Sequence, residues 1–425
     1  MNMKDVLVYQ IGCGTFGRHG LRKFFELEKD LNVNLKVEGV CDVDSSARKL
    51  AERIAGEFGR RIKTFAYTYD MYRDAYEKQK EGHAILIYDA SPSHLHASHF
   101  IKSMHHNFFH IAEKPLAMTK EEFTQVKMAS KTYQKPILCD FIESENEVVL
   151  TAINYLEQHK SSIKSIEIFR ECSIGIQKIL HPEHRLAVTG GDILDKLCHE
   201  IYLFDFVEAN RSRVIDVKVL DASARYLMIN SLTDEHFLDI YGAKTEKISA
   251  ENPLTATAQS KIKCAAYLSS REKVPIILHS SWFGVSEEGK RISELIKKGT
   301  GKCVIEKKAI TDAHRFYYEN LRLFVVACDD FALYGDMKNK RLIVNRRGKW
   351  EEIELLKFEG DQLYRILKNA VLVAAGIEKP KIKMHHIDLI HRIVFGGMEI
   401  ALKKKVGCEK TEMEKAKKYV EGKLR

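Results

Sequence analysis

The chain has 425 residues, 45% of them hydrophobic and 30% charged, enough for two or three domains of roughly 100–200 residues each. That composition excludes disorder as the dominant state, and no run approaches the roughly 18 consecutive apolar residues of a membrane span. The formal net charge is +9, yet residues 401–425 hold nine Lys/Arg against four Asp/Glu. The excess therefore reads as a solvated basic tail helix, and neither a nucleic acid nor a membrane is expected as a partner. Met1 to Asp5 leads directly into an apolar strand pattern, without the core of a secretory signal, so a cytoplasmic protein is expected. The nine cysteines stand singly, with no Cys-x-x-Cys pair, which fits a reducing compartment and offers no zinc knuckle or dithiol centre.

In chain order, Val6–Ile11 is a short apolar run followed by a glycine-rich hexapeptide and a helical pattern. Val37–Cys41 reads as the next strand, with a helix over Ala47–Phe58. Ala84–Tyr88, Phe108–Ala112 and Pro136–Phe141 are further strands, separated by helices around His94–Met104 and Glu121–Lys131. Strands alternating with helices predict a parallel sheet covered on both faces, an open α/β domain over residues 1–141. From residue 142 the pattern changes. A helix near Val148–Gln158 precedes a strand at Lys164–Phe169, and one long helix is predicted over Ile193–Ala209. Strands follow at Val214–Leu220, Lys261–Leu268, Pro275–Phe283, Lys302–Glu306, Arg322–Ala327 and Arg341–Val344. Runs of strands predict a mostly antiparallel sheet in a second, α+β domain over 142–425. Lys244–Asn252 reads as a loop or insertion. Helices around Gln362–Ala375 and His386–Lys404 and a charged helix over Lys410–Leu424 close the chain.

Gly12-Cys13-Gly14-Thr15-Phe16-Gly17 sits between a predicted strand and a predicted helix, the context a dinucleotide fingerprint requires. Gly12 would permit the tight turn, Gly14 the approach of a pyrophosphate, and Gly17 close helix–sheet packing. The helix N-terminus then offers free N–H groups to phosphate. Asp42 ends the second strand, 25 residues beyond Gly17, where a carboxylate accepts from ribose hydroxyls and repels a 2′-phosphate. NAD is therefore expected ahead of NADP, with Arg48 keeping NADP in view.

Three further segments accompany this motif: Ser91-Pro92-Ser93-His94-Leu95-His96, Glu113-Lys114-Pro115, and Gly190-Gly191-Asp192-Ile193-Leu194-Asp195-Lys196-Leu197-Cys198-His199. Together they resemble the glucose–fructose oxidoreductase/inositol dehydrogenase/rhizopine-catabolism (Gfo/Idh/MocA) family. The resemblance implies a Rossmann domain followed by a domain with a large open-faced sheet. It implies NAD or NADP as cofactor, and oxidation of a secondary hydroxyl of a sugar, cyclitol or nucleotide-sugar or reduction of the matching ketone. It also implies a homodimer or homotetramer paired through the sheets. On the matching positions, Lys114, Asp195 and His199 line the substrate pocket, while Ser91, Pro92, His96, Glu113 and Lys114 border the cofactor. The chain departs from the family where Asp192 replaces a third glycine, and where Ile142-Glu143-Ser144-Glu145-Asn146 replaces an Asn-Arg-Arg-Phe-like run.

Within that frame, Asp195 and His199 are spaced i, i+4 and share one face of the predicted helix. Asp192 and Tyr202 extend this stripe and become candidate substrate contacts, while Ile193, Leu197, Ile201, Phe204 and Val207 form the apolar opposite face. A histidine suits proton transfer at neutral pH, so His199 is assigned as acceptor in alcohol oxidation and donor in ketone reduction. Asp195 would hold a hydroxyl and favour the imidazolium; Lys114 would stabilise alkoxide charge at the reacting oxygen or carry the proton itself. Glu113 would orient the lysine. His96 would approach the nicotinamide or cap its helix. Lys178, His181, His184 and Arg185 cluster before the long helix, where Lys178 and Arg185 could hold an anionic group of the substrate. No ligand spacing makes a metal site from the 18 histidines. Trp282 is expected in the core or at a subunit interface. Two rival readings stay open: a non-catalytic NAD-binding sensor or scaffold, and a redox-neutral enzyme using tightly bound NAD.

Overall fold

Five apolar residues and Gln10, bounded by a glycine turn, make β1 (Val6–Ile11), buried at every position because helices cover both faces of its sheet. The computed structural model describes residues 5–172, 191–209, 212–229, 254–282, 284–311 and 314–404. Contacts divide the chain into two units, residues 1–145 with 358–388, and residues 146–357 with 389–425. Among the described residues no helix is long and apolar enough to cross a membrane.

In the first unit β1 is joined by β2 (Leu35–Cys41), β3 (Lys63–Phe65), β4 (Ala84–Asp89), β5 (Phe109–Glu113) and β6 (Leu138–Asp140). The order is β3-β2-β1-β4-β5-β6, and every pairing is parallel. The connecting helices are α1 (Thr15–Asp30), α2 (Ser45–Glu57), α3 (Thr68–Lys80), α4 (His96–His105) and α5 (Lys120–Ser130). Alternate residues of β1 face opposite cores, as a period of two dictates. Val6 and Val8 meet Leu21 and Phe24 of α1, while Leu7 and Tyr9 meet Met71 and Tyr72 of α3. The strand order reverses between β1 and β4, so the carboxyl ends of these strands form the switch point where such sheets bind ligands.

The predicted parallel sheet is thus present, with β3 and α3 added to what the sequence pattern distinguished. Residues 358–388, which chain order alone groups with the second domain, lie in the first unit. Their helix, α10 (Gln362–Ala374), packs Leu367 and Val371 into the α1 side of the core. Asp361 caps it by accepting from the Tyr364 N–H at 2.8 Å and also takes Lys23 of α1 at 2.9 Å.

The second unit begins with α6 (Glu147–His159) and β7 (Ile163–Cys172). Helices α7 (Gly191–Leu197) and α8 (Leu203–Glu208) follow, then β8 (Val214–Ile229), β9 (Leu254–Leu268), β10 (Lys273–Ser281) and α9 (Glu287–Thr300). The strands end with β11 (Glu306–Thr311), β12 (His314–Cys328), β13 (Ala332–Asp336), β14 (Arg341–Arg346) and β15 (Lys349–Ile353), and α11 (Met384–Lys404) is the last described helix. The nine-stranded sheet runs β15-β14-β13-β12-β7-β10-β9-β8, with β11 on β12. It is antiparallel except where β7 and β10 pair in parallel.

Three expectations need correction here. The single helix over Ile193–Ala209 is instead α7, a 3-10 turn over Cys198–Tyr202, and α8. The chain leaves helical geometry at Glu200 (φ −81°, ψ 22°), whose buried carboxylate turns in to meet Arg170 of β7 at 3.1 Å. Helix α9 interrupts what was read as an unbroken run of strands. Lys302–Ile305 is not strand; β11 begins only at Glu306. The Lys244–Asn252 segment and the charged helix over Lys410–Leu424 lie outside the described residues.

Candidate active site

The glycine-rich turn is built so that two of its glycines cannot be replaced. Gly12 has φ +85°, and a Cβ there would lie 2.5 Å from the Ala90 carbonyl oxygen. A Cβ on Gly17 would lie 2.3 Å from the Gly12 oxygen. Gly14 differs: a Cβ there would meet nothing within 4 Å, so space stands open at the N-cap of α1, which no side chain caps. Uncapped N–H groups under open space suit a pyrophosphate. Thr15 and the 40%-exposed Phe16 begin the helix beside this space. Gln10, wholly buried, holds the turn by donating to the oxygens of Gly12 (2.7 Å) and Gly17 (2.9 Å).

Asp42 stands at the end of β2, as expected, and is tied to the same turn. Its Oδ2 accepts from the Cys13 N–H at 2.7 Å and its Oδ1 from the Asp44 N–H at 2.9 Å. Each oxygen retains a lone pair for a further donor. Arg48 spends Nη1 on the carbonyls of Asp42 (2.6 Å) and Val43 (3.1 Å), which draws it beneath the strand end. The residues present therefore fit a dinucleotide: an open cradle over Gly14 and an acceptor at Asp42.

The ends of β4, β5 and β6 carry a second cluster. Asp89 is fully buried; its Oδ1 accepts from the Ser91 N–H at 3.0 Å and its Oδ2 meets His99 Nδ1 at 2.9 Å. Burial alone would raise this carboxyl, but the His99 hydrogen bond and the fields of His96, His99 and His110 hold it well below the carboxylate range. Pro92 is exposed beside it. His96 is buried, with its ring nitrogens on the carbonyl oxygens of Pro115 and Ser91, both at 2.8 Å. It presents no ring nitrogen to a cofactor, so the expected approach to the nicotinamide is not what the fold provides.

Glu113 ends β5 directly across from Asp140 of β6. Tyr88 donates to Glu113 Oε1 at 2.8 Å. Burial raises both carboxyls, and the neighbouring Glu113 carboxylate raises Asp140 further. Lys114, half-buried, follows Glu113 and precedes a cis bond to buried Pro115; its charge lies within reach of both carboxyls. Sequence reasoning identified Glu113 and Lys114 but not Asp89, His99, His110, Tyr88 or Asp140, which reach the cluster through strand register rather than any motif.

In the second unit, α7 and the turn after it hold the remaining candidates. Asp192 is fully buried, and its two oxygens accept from Ser260 Oγ (2.8 Å) and Ser280 Oγ (2.6 Å) on β9 and β10. Lys196, also buried, donates to the oxygens of Ser281 and Arg170 and meets Cys172 Sγ at 3.0 Å; burial lowers its pKa. Asp195 alone among residues 191–204 is half-buried rather than buried. His199 is 8% exposed and lies in the 3-10 turn, not one helical turn above Asp195 in a regular helix. Tyr202 is core: its ring packs on Phe206 and Phe324 and its hydroxyl donates to Met337 Sδ at 3.5 Å. Trp282 is fully buried. Gly190, Lys178, His181, His184 and Arg185 lie outside the described residues.

Residues 6–141 match the model of the family GFO_IDH_MocA, described as an oxidoreductase family with an NAD-binding Rossmann fold. No curated protein matches the chain. Solved structures share its fold. A levoglucosan dehydrogenase in complex with NADH and levoglucosan is 13% identical at a TM-score of 0.66, over 95% of this chain and 98% of that one. Myo-inositol 2-dehydrogenase from Lactobacillus plantarum is 14% identical at 0.58, over 95% and 98%. UDP-N-acetylglucosamine 3-dehydrogenase GnnA from Acidithiobacillus ferrooxidans is 14% identical at 0.56, over 93% and 97%.

Proposed function

Residues 6–141 belong to the Gfo/Idh/MocA oxidoreductase family, and from that premise we propose that the chain transfers a hydride between NAD and a polyhydroxylated substrate. The substrate is a sugar, cyclitol or nucleotide-sugar, reacting at a secondary hydroxyl or the matching ketone. The observation that carries this reading is the open cradle over Gly14 with Asp42 beside it. The substrate class is supported by the named activities of structures sharing the fold. Asp42 favours NAD over NADP, because its charge would face a 2′-phosphate.

A bound nicotinamide supplies the hydride acceptor in oxidation and the donor in reduction. His199 takes the hydroxyl proton as the carbonyl forms, and returns it in the reverse direction. Lys114 donates to the reacting oxygen and stabilises its developing charge, with Glu113 fixing the lysine from the preceding position. Asp195, the half-buried residue of α7, holds a substrate hydroxyl. Asp192 and Tyr202 support the segment from behind. The chain works as a homodimer or homotetramer; exposed Ile215 and Leu220 on β8 suit burial against a second copy.

The test is turnover of the full-length protein with NAD and with NADP across sugars, cyclitols and nucleotide-sugars, with product masses recorded. Reduced cofactor formed in step with a ketone product is expected, with NAD preferred. Cofactor binding without any product would replace this reading by that of a sensor, and product without net reduced cofactor by that of a redox-neutral enzyme. Light scattering of the same sample is expected to give at least two subunits; a monomer removes the assembly from the reading.

A further inference from the structure

Lys196 of α7 is 8% exposed, and its amine is enclosed by the carbonyl oxygens of Arg170 (3.4 Å) and Ser281 and by Cys172 Sγ at 3.0 Å. Cys172 ends β7 and is half-buried. The nitrogen is therefore shielded, while a small solute can approach from the cysteine's side. A nitrogen and a sulfur about 3 Å apart already stand at the separation of a near-attack pair. The proposed hydride transfer uses neither residue.

The electrostatics of the pair suit nucleophilic chemistry at both atoms. The thiolate is the reactive form of a cysteine, and a neighbouring lysine cation favours it. Burial drives the Lys196 pKa down; the Cys172 sulfur opposes this, followed by the carboxylates of Asp192 and Asp195. Oxidation of the sulfur to a neutral sulfenic acid removes the first of these countercharges. Burial then favours the free amine, which has the lone pair that the ammonium lacks.

We propose that Cys172 and Lys196 are a modification site, at which peroxide converts the pair into a sulfenamide crosslink between the end of β7 and α7. The Cys172 sulfur attacks one peroxide oxygen, the O–O bond breaks, and the thiol becomes a sulfenic acid with release of water. Sulfur loses two electrons and the peroxide gains them. The Lys196 nitrogen then attacks that sulfur, and the S–O bond breaks. The hydroxyl leaves as water with one amine proton. One thiol, one amine and one hydrogen peroxide thus give one S–N bond and two waters. Two equivalents of an added thiol reverse the step, restoring Cys172 and Lys196 and leaving the added thiol as its disulfide. The bond ties α7, which carries Asp195, to a strand of the same unit, and the site stands independently of the proposed hydride transfer.

The test treats reduced full-length protein with hydrogen peroxide, blocks remaining thiols with iodoacetamide, and digests with trypsin without reductant for mass spectrometry. The expected product is a peptide containing Cys172 joined to one containing Lys196, two hydrogen atoms lighter than their sum and uncut at Lys196. Dithiothreitol should separate the two. Fragment spectra locate both ends of the link, so the assignment needs no variant at the buried lysine. Cys172→Ser, a change at a half-buried position, should abolish the linked species. Peroxide treatment in urea should lower its yield by about tenfold or more, because the 3.0 Å contact is lost on unfolding. Recovery of Cys172 unlinked, whether alkylated or as a sulfinic or sulfonic acid, would overturn the proposal. So would a disulfide from Cys172 to another cysteine, a linked pair that carries an additional oxygen, or an equal yield in urea.

Discussion

The carboxylate of Asp42 accepts from the Cys13 N–H at 2.7 Å, so the acid ending β2 also shapes the glycine-rich turn. Under the proposed function, a carboxylate positioned this way would accept ribose hydroxyls and set its charge against a 2′-phosphate. Asp42→Asn keeps the shape and one acceptor oxygen. It should weaken NAD binding by about 10- to 100-fold, the worth of one or two hydrogen bonds to a charged group, while NADP binding weakens less or improves. Calorimetric titration with both cofactors measures this. Equal losses for the two would leave Asp42 a role in the turn alone.

Asp192 is the residue whose sequence reading and surroundings diverge most. Next to two glycines and on one stripe with Asp195, it invites a substrate role, but its oxygens are taken by Ser260 and Ser280 in a buried site. Asp192→Ala leaves both hydroxyls without that acceptor and should cost about 3 kcal/mol of stability. Urea unfolding is the measurement. A variant as stable as the wild type with KM raised more than about tenfold would restore Asp192 to the substrate.

His110 makes a pH prediction with a definite sign. Burial pushes it down to about 3 in the folded chain, against about 6.5 unfolded. Between these values the unfolded chain binds a proton that the folded chain refuses. Stability is therefore full above about pH 6.5 and falls as the pH drops toward 3, by up to about 1.4 kcal/mol per pH unit. His110→Asn should flatten that slope between pH 6 and 4, although losing the Ser103 contact at 2.7 Å makes it less stable at pH 7.5. Parallel wild-type and variant slopes in urea unfolding across this range would contradict the assignment.

What could be read in advance follows from how local each cause is. β1, the turn and Gly12 to Gly17 are encoded within a dozen residues, and each glycine has the surroundings its place in the motif implies. Helix α9 was missed although its signals are local: Ser286 caps it by accepting from the Gly289 N–H, Glu287 and Glu288 open it, and Gly301 ends it in the left-handed region. β3 escaped because three residues carry no period. The break at Glu200 depends on Arg170, 30 residues away on another element, and no helical wheel contains that partner. The Glu113–Asp140 pair exists only because β5 and β6 align in register. Lys196, to which the sequence pattern assigns no role, is enclosed by three acceptors from β7 and β10.

The kinetic prediction bears on the proposed chemistry directly. His199→Ala and Lys114→Ala should each lower kcat by roughly the 10²–10⁴ typical of a positioned acid–base group. NAD affinity should hold, because the cradle over Gly14 and the Asp42 carboxylate lie on other segments of the chain. Asp195→Asn should act mainly on KM, since the amide keeps the shape but loses charge and one acceptor oxygen. His199 is 8% exposed and packed in the turn that Glu200 anchors on Arg170, so the alanine variant needs a folding control by circular dichroism, and His199→Gln serves as the milder change. The pH profile separates the two cations: if His199 carries the proton, the acid limb of kcat/KM in alcohol oxidation disappears in His199→Gln and persists in Lys114→Ala. The reverse pattern would move the proton to Lys114. Near-wild-type turnover in folded His199→Gln and Lys114→Ala alike would overturn the mechanism altogether.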